Sequence, residues 1–80
     1  MTINLKYFGL IADITNTNEE LINLEKSDYT SQDLMNQLYE KYTDLQKVSF
    51  AIAVNKSITT TEINLNNNDT IALLPPFAGG

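Results

Sequence analysis

Eighty residues with 42% hydrophobic content suffice for one domain with a thin core, and a charged fraction of 19% is too low for a disordered chain. Cysteine and histidine are both absent, which excludes disulfide frameworks, thiolate nucleophiles, zinc fingers and any Ser-His-Asp or Cys-His arrangement. The net charge of −5, carried without a single arginine, disfavours nucleic acid as a partner; the lack of a long apolar run or a basic leader predicts a cytoplasmic protein with no membrane contact.

Residues 3–8 alternate, with Ile3, Leu5 and Tyr7 on one face, and predict a strand that Gly9 breaks. Leu10, Ile11, Ala12 and Ile14 predict a short helical turn before the polar run 15–18. Residues 20–25 predict a second strand, antiparallel to the first, with Ile22 and Leu24 inward. The spacing of Leu34, Leu38 and Tyr42, widened by Met35 and Tyr39, predicts an amphipathic helix over 31–42. Thr30 supplies its N-cap hydroxyl, and Asp33 stands three residues later, at the positive end of the helix dipole. Residues 50–54 alternate large and small apolar side chains and predict a central strand covered on one face by the helix. A turn at 55–57 leads to a short edge strand within 58–63, and the Asn-rich stretch 66–69 predicts a tight turn. Residues 70–74 form the last strand, with Ile71 and Leu73 inward.

The order predicts one mixed sheet of about five strands with one main helix on one face, an α+β body over residues 1–74. Pro75 and Pro76 cannot donate ladder hydrogen bonds, so the chain leaves the sheet there as an extended tail over 75–80. If extended, six residues reach roughly 20 Å, far enough to enter a partner's deep site. Gly79 and Gly80 remove the side chains that would obstruct a narrow channel and crowd a carbonyl under attack. Such a tail suits activation of the Gly80 carboxylate as an acyl-adenylate. A bare terminal Gly-Gly is otherwise a loose end, but here it follows a strand, two prolines and apolar Phe77.

The ending Asp69-Thr70-Ile71-Ala72-Leu73-Leu74-Pro75-Pro76-Phe77-Ala78-Gly79-Gly80 resembles that of the small subunit of molybdopterin synthase, a sulfur-carrier family. Leu5-Lys6-Tyr7-Phe8-Gly9, Ala53-Val54-Asn55 and the Thr30-capped helix resemble the same family at matching intervals. The resemblance implies the ubiquitin-like β-grasp fold. It also implies a role in molybdenum-cofactor biosynthesis: an ATP-dependent adenylating enzyme activates Gly80, a persulfide donor converts it to a thiocarboxylate, and the sulfur passes to cyclic pyranopterin monophosphate in the large synthase subunit. On that reading the chain is a non-catalytic subunit of a heterotetramer, binds no cofactor or metal of its own, and leaves ATP to its adenylating partner. Pro75, Pro76, Ala78 and Gly79 would thread the channel. Two departures stand out. Asn67-Asn68-Asp69 replaces the family's frequent Asp-Gly-Asp, and residues 9–13 lack the arginine often found there.

Phe77 is the expected aromatic anchor in a partner pocket, having no core to join. Phe8 and Leu74 point away from the face of Tyr7 and Leu73, and either form an adjoining apolar patch or cover a satellite core. Asp13, Glu19, Glu62 and Asp69 read as solvated acids or as complements to a basic partner rim, and Lys6, Lys41, Lys47 and Lys56 as scattered surface lysines. Met35, Tyr39 and Tyr42 read as core. The alternatives are a thiazole-forming carrier of thiamine biosynthesis, which is usually shorter and lacks the double proline, a ubiquitin-like protein modifier, and a plain β-grasp interaction module.

Overall fold

A computed structural model of the chain describes residues 1–25 and 28–75. Its elements run in the order β1 (Thr2–Tyr7), α1 (Leu10–Thr15), β2 (Glu19–Asn23), α2 (Ser31–Lys41), a 3₁₀ turn (Thr43–Lys47), β3 (Ala51–Val54), β4 (Ser57–Thr59) and β5 (Thr70–Leu74). The five strands form one mixed sheet in the order β2-β1-β5-β3-β4. Only β1 and β5 run parallel, with Asn4 beside Thr70 and Tyr7 beside Leu73; the other pairs are antiparallel. This is the ubiquitin-like β-grasp.

The alternation of β1 works as its sequence predicts. Ile3, Leu5 and Tyr7 are buried and pack with Ile71 and Leu73 of β5 beneath Leu34, Met35 and Leu38 of α2. The helix begins where its capping box directs: Asp33 N donates to Thr30 Oγ1 at 3.1 Å, and Thr30 N donates back to Asp33 Oδ2 at 3.0 Å. Two of the helix's orphan amide-end groups are thereby satisfied at once. Tyr42, beyond the last helical residue, packs edge-on against Tyr7 with ring centroids 6.2 Å apart.

Three expectations change. The strand after the 55–57 turn is confined to Ser57–Thr59, since Thr59 Oγ1 turns to the carbonyl of Thr61 and the chain leaves the ladder. β5, not β3, occupies the middle of the sheet, because β1 pairs with it on one side and β3 on the other. The 3₁₀ turn is an addition: it fills the floor under α1 and α2 by burying Leu45 completely, and Leu65 joins the core from a loop.

The turn before β5 closes with Asp69 N donating to the carbonyl of Asn66 at 3.1 Å, and Asn68 takes φ 69°. The left-handed position that asparagine was expected to hold is therefore held by Asn68. Asp69 is not a solvated acid. It is buried and accepts from Asn55 Nδ2 at 2.9 Å and Asn66 N at 2.8 Å, tying this turn to the β3–β4 turn.

Candidate functional site

The parallel pairing of β1 with β5 decides where the tail starts. Both strands end at the same edge of the sheet, so the corner after β1 and the first tail residue emerge together. Phe8 follows β1 and is 44% exposed; Leu74 ends β5 and is half-buried. Neither belongs to the core, because strand alternation turns both away from the helix-covered face. Gly9 and Pro75 come next, in contact with one another. Pro76, Phe77, Ala78, Gly79 and Gly80, the remaining tail residues singled out from the sequence, lie outside the described residues.

Among the described residues no element packs on the face of the sheet opposite α2. Across it, register places Leu21 of β2 beside Asn4, Lys6 beside Ala72, and Ala72 beside Ala53, with Ile58 next on β4. Leu21 and Ile58 are more than half exposed, and the alanines between them keep the surface low. Lys6 and Glu19 add charge along one side of a shallow open groove that Asn4, Leu21 and Thr70 also line. The surface combines apolar side chains with few charges, as a docking face does.

Sequence reading missed one cluster beside this groove. Glu20 lies on the inward phase of β2 with Ile22, and its carboxylate accepts from Tyr7 Oη at 2.7 Å, from Tyr42 Oη at 3.0 Å and from Lys41 Nζ. Lys41 is thus not an idle surface lysine. Burial pushes the Glu20 carboxyl up, but the hydrogen bonds from Lys41, Tyr7 and Tyr42 outweigh it and hold the group below its ordinary value. Burial, then the bond to Glu20, raises the Tyr7 hydroxyl strongly and Tyr42 in the same direction. These shifts record a structural clamp between sheet and helix end. The signal was available, since an acid two residues before a buried Ile22 shares its face.

Among the described residues no group of His, Cys, Asp and Glu is arranged to hold a metal ion, and no helix is long and apolar enough to cross a membrane.

Comparison with known proteins places the architecture. The model of the ThiS family matches residues 5–80. Subunit 1 in the protein–protein complex of subunits 1 and 2 of the molybdopterin-converting factor of Helicobacter pylori is similar at 29% identity, covering 100% of both chains with a TM-score of 0.72. A Pyrococcus furiosus protein assigned as molybdopterin converting factor, subunit 1, superposes with a TM-score of 0.85 over 96% of this chain and 99% of its own, at 20% identity. Small archaeal modifier protein 1 of Haloferax volcanii does so with a TM-score of 0.81 over 95% and 98%, at 17% identity. The last two likenesses concern the fold alone.

Proposed function

The chain belongs to the ThiS family, and from that premise we propose that it is a sulfur carrier of molybdopterin synthesis, with the Gly80 carboxylate as its working group. The fold is the one shared by ThiS-type sulfur carriers and ubiquitin-like modifiers. One observation supports the carrier reading: the family match runs through the whole tail to Gly80, on a body whose central strand β5 hands the chain to Pro75 at the end of the sheet.

In the proposed cycle a carboxylate oxygen of Gly80 attacks the α-phosphorus of ATP on an adenylating partner, and pyrophosphate leaves. The terminal sulfur of a donor persulfide then attacks the acyl carbon and expels AMP. A thiol cleaves the resulting S–S bond, leaving the thiocarboxylate on Gly80 and a disulfide on the donor side. None of these steps calls for a nucleophilic or basic side chain on the carrier, in keeping with a chain that has neither His nor Cys. Its own contribution is to dock by the apolar face with Phe8 and Leu74, to anchor Phe77, and to present Ala78, Gly79 and Gly80 through a narrow passage. The similarity to subunit 1 of the Helicobacter pylori complex supports a large synthase subunit as the recipient.

Incubation with the adenylating enzyme, ATP and a persulfide donor tests the proposal by intact-mass spectrometry. A carrier gains the mass difference between sulfur and oxygen at its C-terminus and then supports molybdopterin formation with the large subunit. A chain that gains nothing is an interaction module. One that is instead recovered joined to lysines of other proteins is a modifier.

A further inference from the structure

We infer that Gly9 is a positioning residue for the tail: the corner it makes after β1 seats Pro75 and so fixes the direction in which residues 75–80 leave the body. The inference rests on the carrier reading for its consequence, and on geometry for its substance.

The parallel register pairs Asn4 with Thr70, Leu5 with Ile71, Lys6 with Ala72 and Tyr7 with Leu73. Carried past the strand ends, the same offset sets Phe8 beside Leu74 and Gly9 beside Pro75. The contact is close: a Cβ placed on Gly9 would lie 2.8 Å from Pro75 Cγ. Carbon atoms attract at about 3.5–4.0 Å and repel steeply inside that range. Gly9 also has φ 56° and ψ −133°, a region that residues with a Cβ avoid. Glycine is therefore required twice, once by its own backbone and once by its neighbour.

The corner cannot yield to a larger residue. Tyr7 before it and Ile11 after it are both buried, and Ile11 N donates to the carbonyl of Phe8 at 3.1 Å while Asp13 N donates to that of Gly9 at 3.3 Å. Pro75 is exposed, so it is the side of the contact that a Cβ on Gly9 would displace. Its ring fixes its own φ, so the part of a push on Cγ that ring puckering does not absorb turns the proline as a unit, at the point where the chain leaves β5.

Two measurements test this, one of them independent of sulfur chemistry. The chain has no cysteine, so Glu40→Cys with Gly80→Cys gives a clean pair of spin-label sites, Glu40 being exposed on α2. The label-to-label distance distribution is expected to shift or broaden when Gly9→Ala is added. Superimposable distributions would overturn the inference even if the chain proved not to be a carrier. The second measurement is adenylation of the unlabelled protein. Gly9→Ala is expected to lower kcat about ten-fold while leaving KM within about two-fold, since misplacement by roughly 1 Å can cost up to about 10²-fold. Because the two residues act through one contact, Gly9→Ala combined with Pro75→Ala is expected to be no worse than the poorer single variant. Multiplicative losses would show instead that Gly9 serves only its own backbone. Should Gly9→Ala not fold, Pro75→Ala alone removes the Cγ contact and carries both measurements: an unchanged distance distribution with unchanged kcat overturns the inference. Absence of adenylation in the wild type counts against the carrier reading only.

Discussion

Tyr7 and Glu20 stand diagonally across the β1–β2 pair, Glu20 lying opposite Leu5, and the Tyr7 hydroxyl donates to the Glu20 carboxylate at 2.7 Å. Tyr42 and Lys41, at the end of α2, converge on the same carboxylate. One acid thus joins an edge strand, the strand beside the sheet's centre and the helix terminus, at a place where a thin core gives little redundancy. Glu20→Gln keeps the shape but surrenders the charge that makes three donors favourable. It is expected to cost about 1.5–3 kcal/mol in chemical denaturation, the range for hydrogen bonds to a charged acceptor. Lys41→Met, which removes a half-exposed partner, is expected to cost less than about 1 kcal/mol. Equal losses for the two variants would mean that the ion pair, not the tyrosines, holds the clamp.

The same cluster shapes the dependence of stability on pH. Glu20 binds its proton more weakly folded than unfolded, so its contribution is present above the ordinary carboxylate range and is lost as pH falls below about 4. Tyr7, Tyr42 and Lys41 bind theirs more strongly when folded, so their contributions are complete below about pH 10 and decline above it. Melting temperature is expected to be flat between roughly pH 5 and 9 and to fall on both sides. In Glu20→Gln the acid-side fall is expected to be shallower than in the wild type. An identical acid limb would assign that limb to other carboxylates.

How much of this was legible follows from what is local. The capping box and the four-residue period of α2 lie within one stretch, and β1 and β5 alternate on their own, so the sequence predicts them directly. The central place of β5 depends on strands far apart in the chain, and no strand's own residues name its partners. Leu45 stands between polar neighbours in the 3₁₀ turn, and Leu65 sits alone in a loop, so neither has a period to betray it. Asp69 reads as one more acid until the turn wraps two amides around it. At the site, alternation predicts that Phe8 and Leu74 point away from the core, whereas the contact of Gly9 with Pro75 exists only once the parallel register is set.

Two turns carry avoidable strain. Asn55 and Lys56 join β3 to β4 with φ 50° and 75°, the mirror-image turn in which asparagine followed by glycine is favoured. Lysine in the left-handed region costs roughly 1–2 kcal/mol, which glycine removes while giving back part through a freer unfolded chain. Lys56→Gly is therefore expected to stabilise by about 0.5–1 kcal/mol. Asn68 tolerates φ 69° better than lysine tolerates its own conformation, so Asn68→Gly is expected to gain less, a few tenths of a kcal/mol. Urea denaturation of both variants checks the order. A destabilised Lys56→Gly would show that the lysine stem contributes packing that offsets its backbone strain.

On the proposed carrier reading, function and folding part at the tail. Leu74 is the last residue of β5, and among the described residues the buried core ends at Leu73. Deleting Gly80 is therefore expected to leave the thermal melt unchanged while abolishing thiocarboxylate formation, because the acyl group to be activated is displaced to Gly79 and falls short of the adenylating site. Phe77→Ala keeps that carboxylate and its reach but gives up the aromatic surface offered to a partner pocket. It is expected to weaken binding to the large subunit by more than about 1 kcal/mol, with the adenylated fraction at saturating enzyme unchanged. Isothermal titration with the large subunit measures the first effect and intact mass the second. Equal affinity for wild type and Phe77→Ala would move the anchor from the tail to Phe8 and the open sheet face, leaving residues 75–80 to deliver the acyl group without holding the partner.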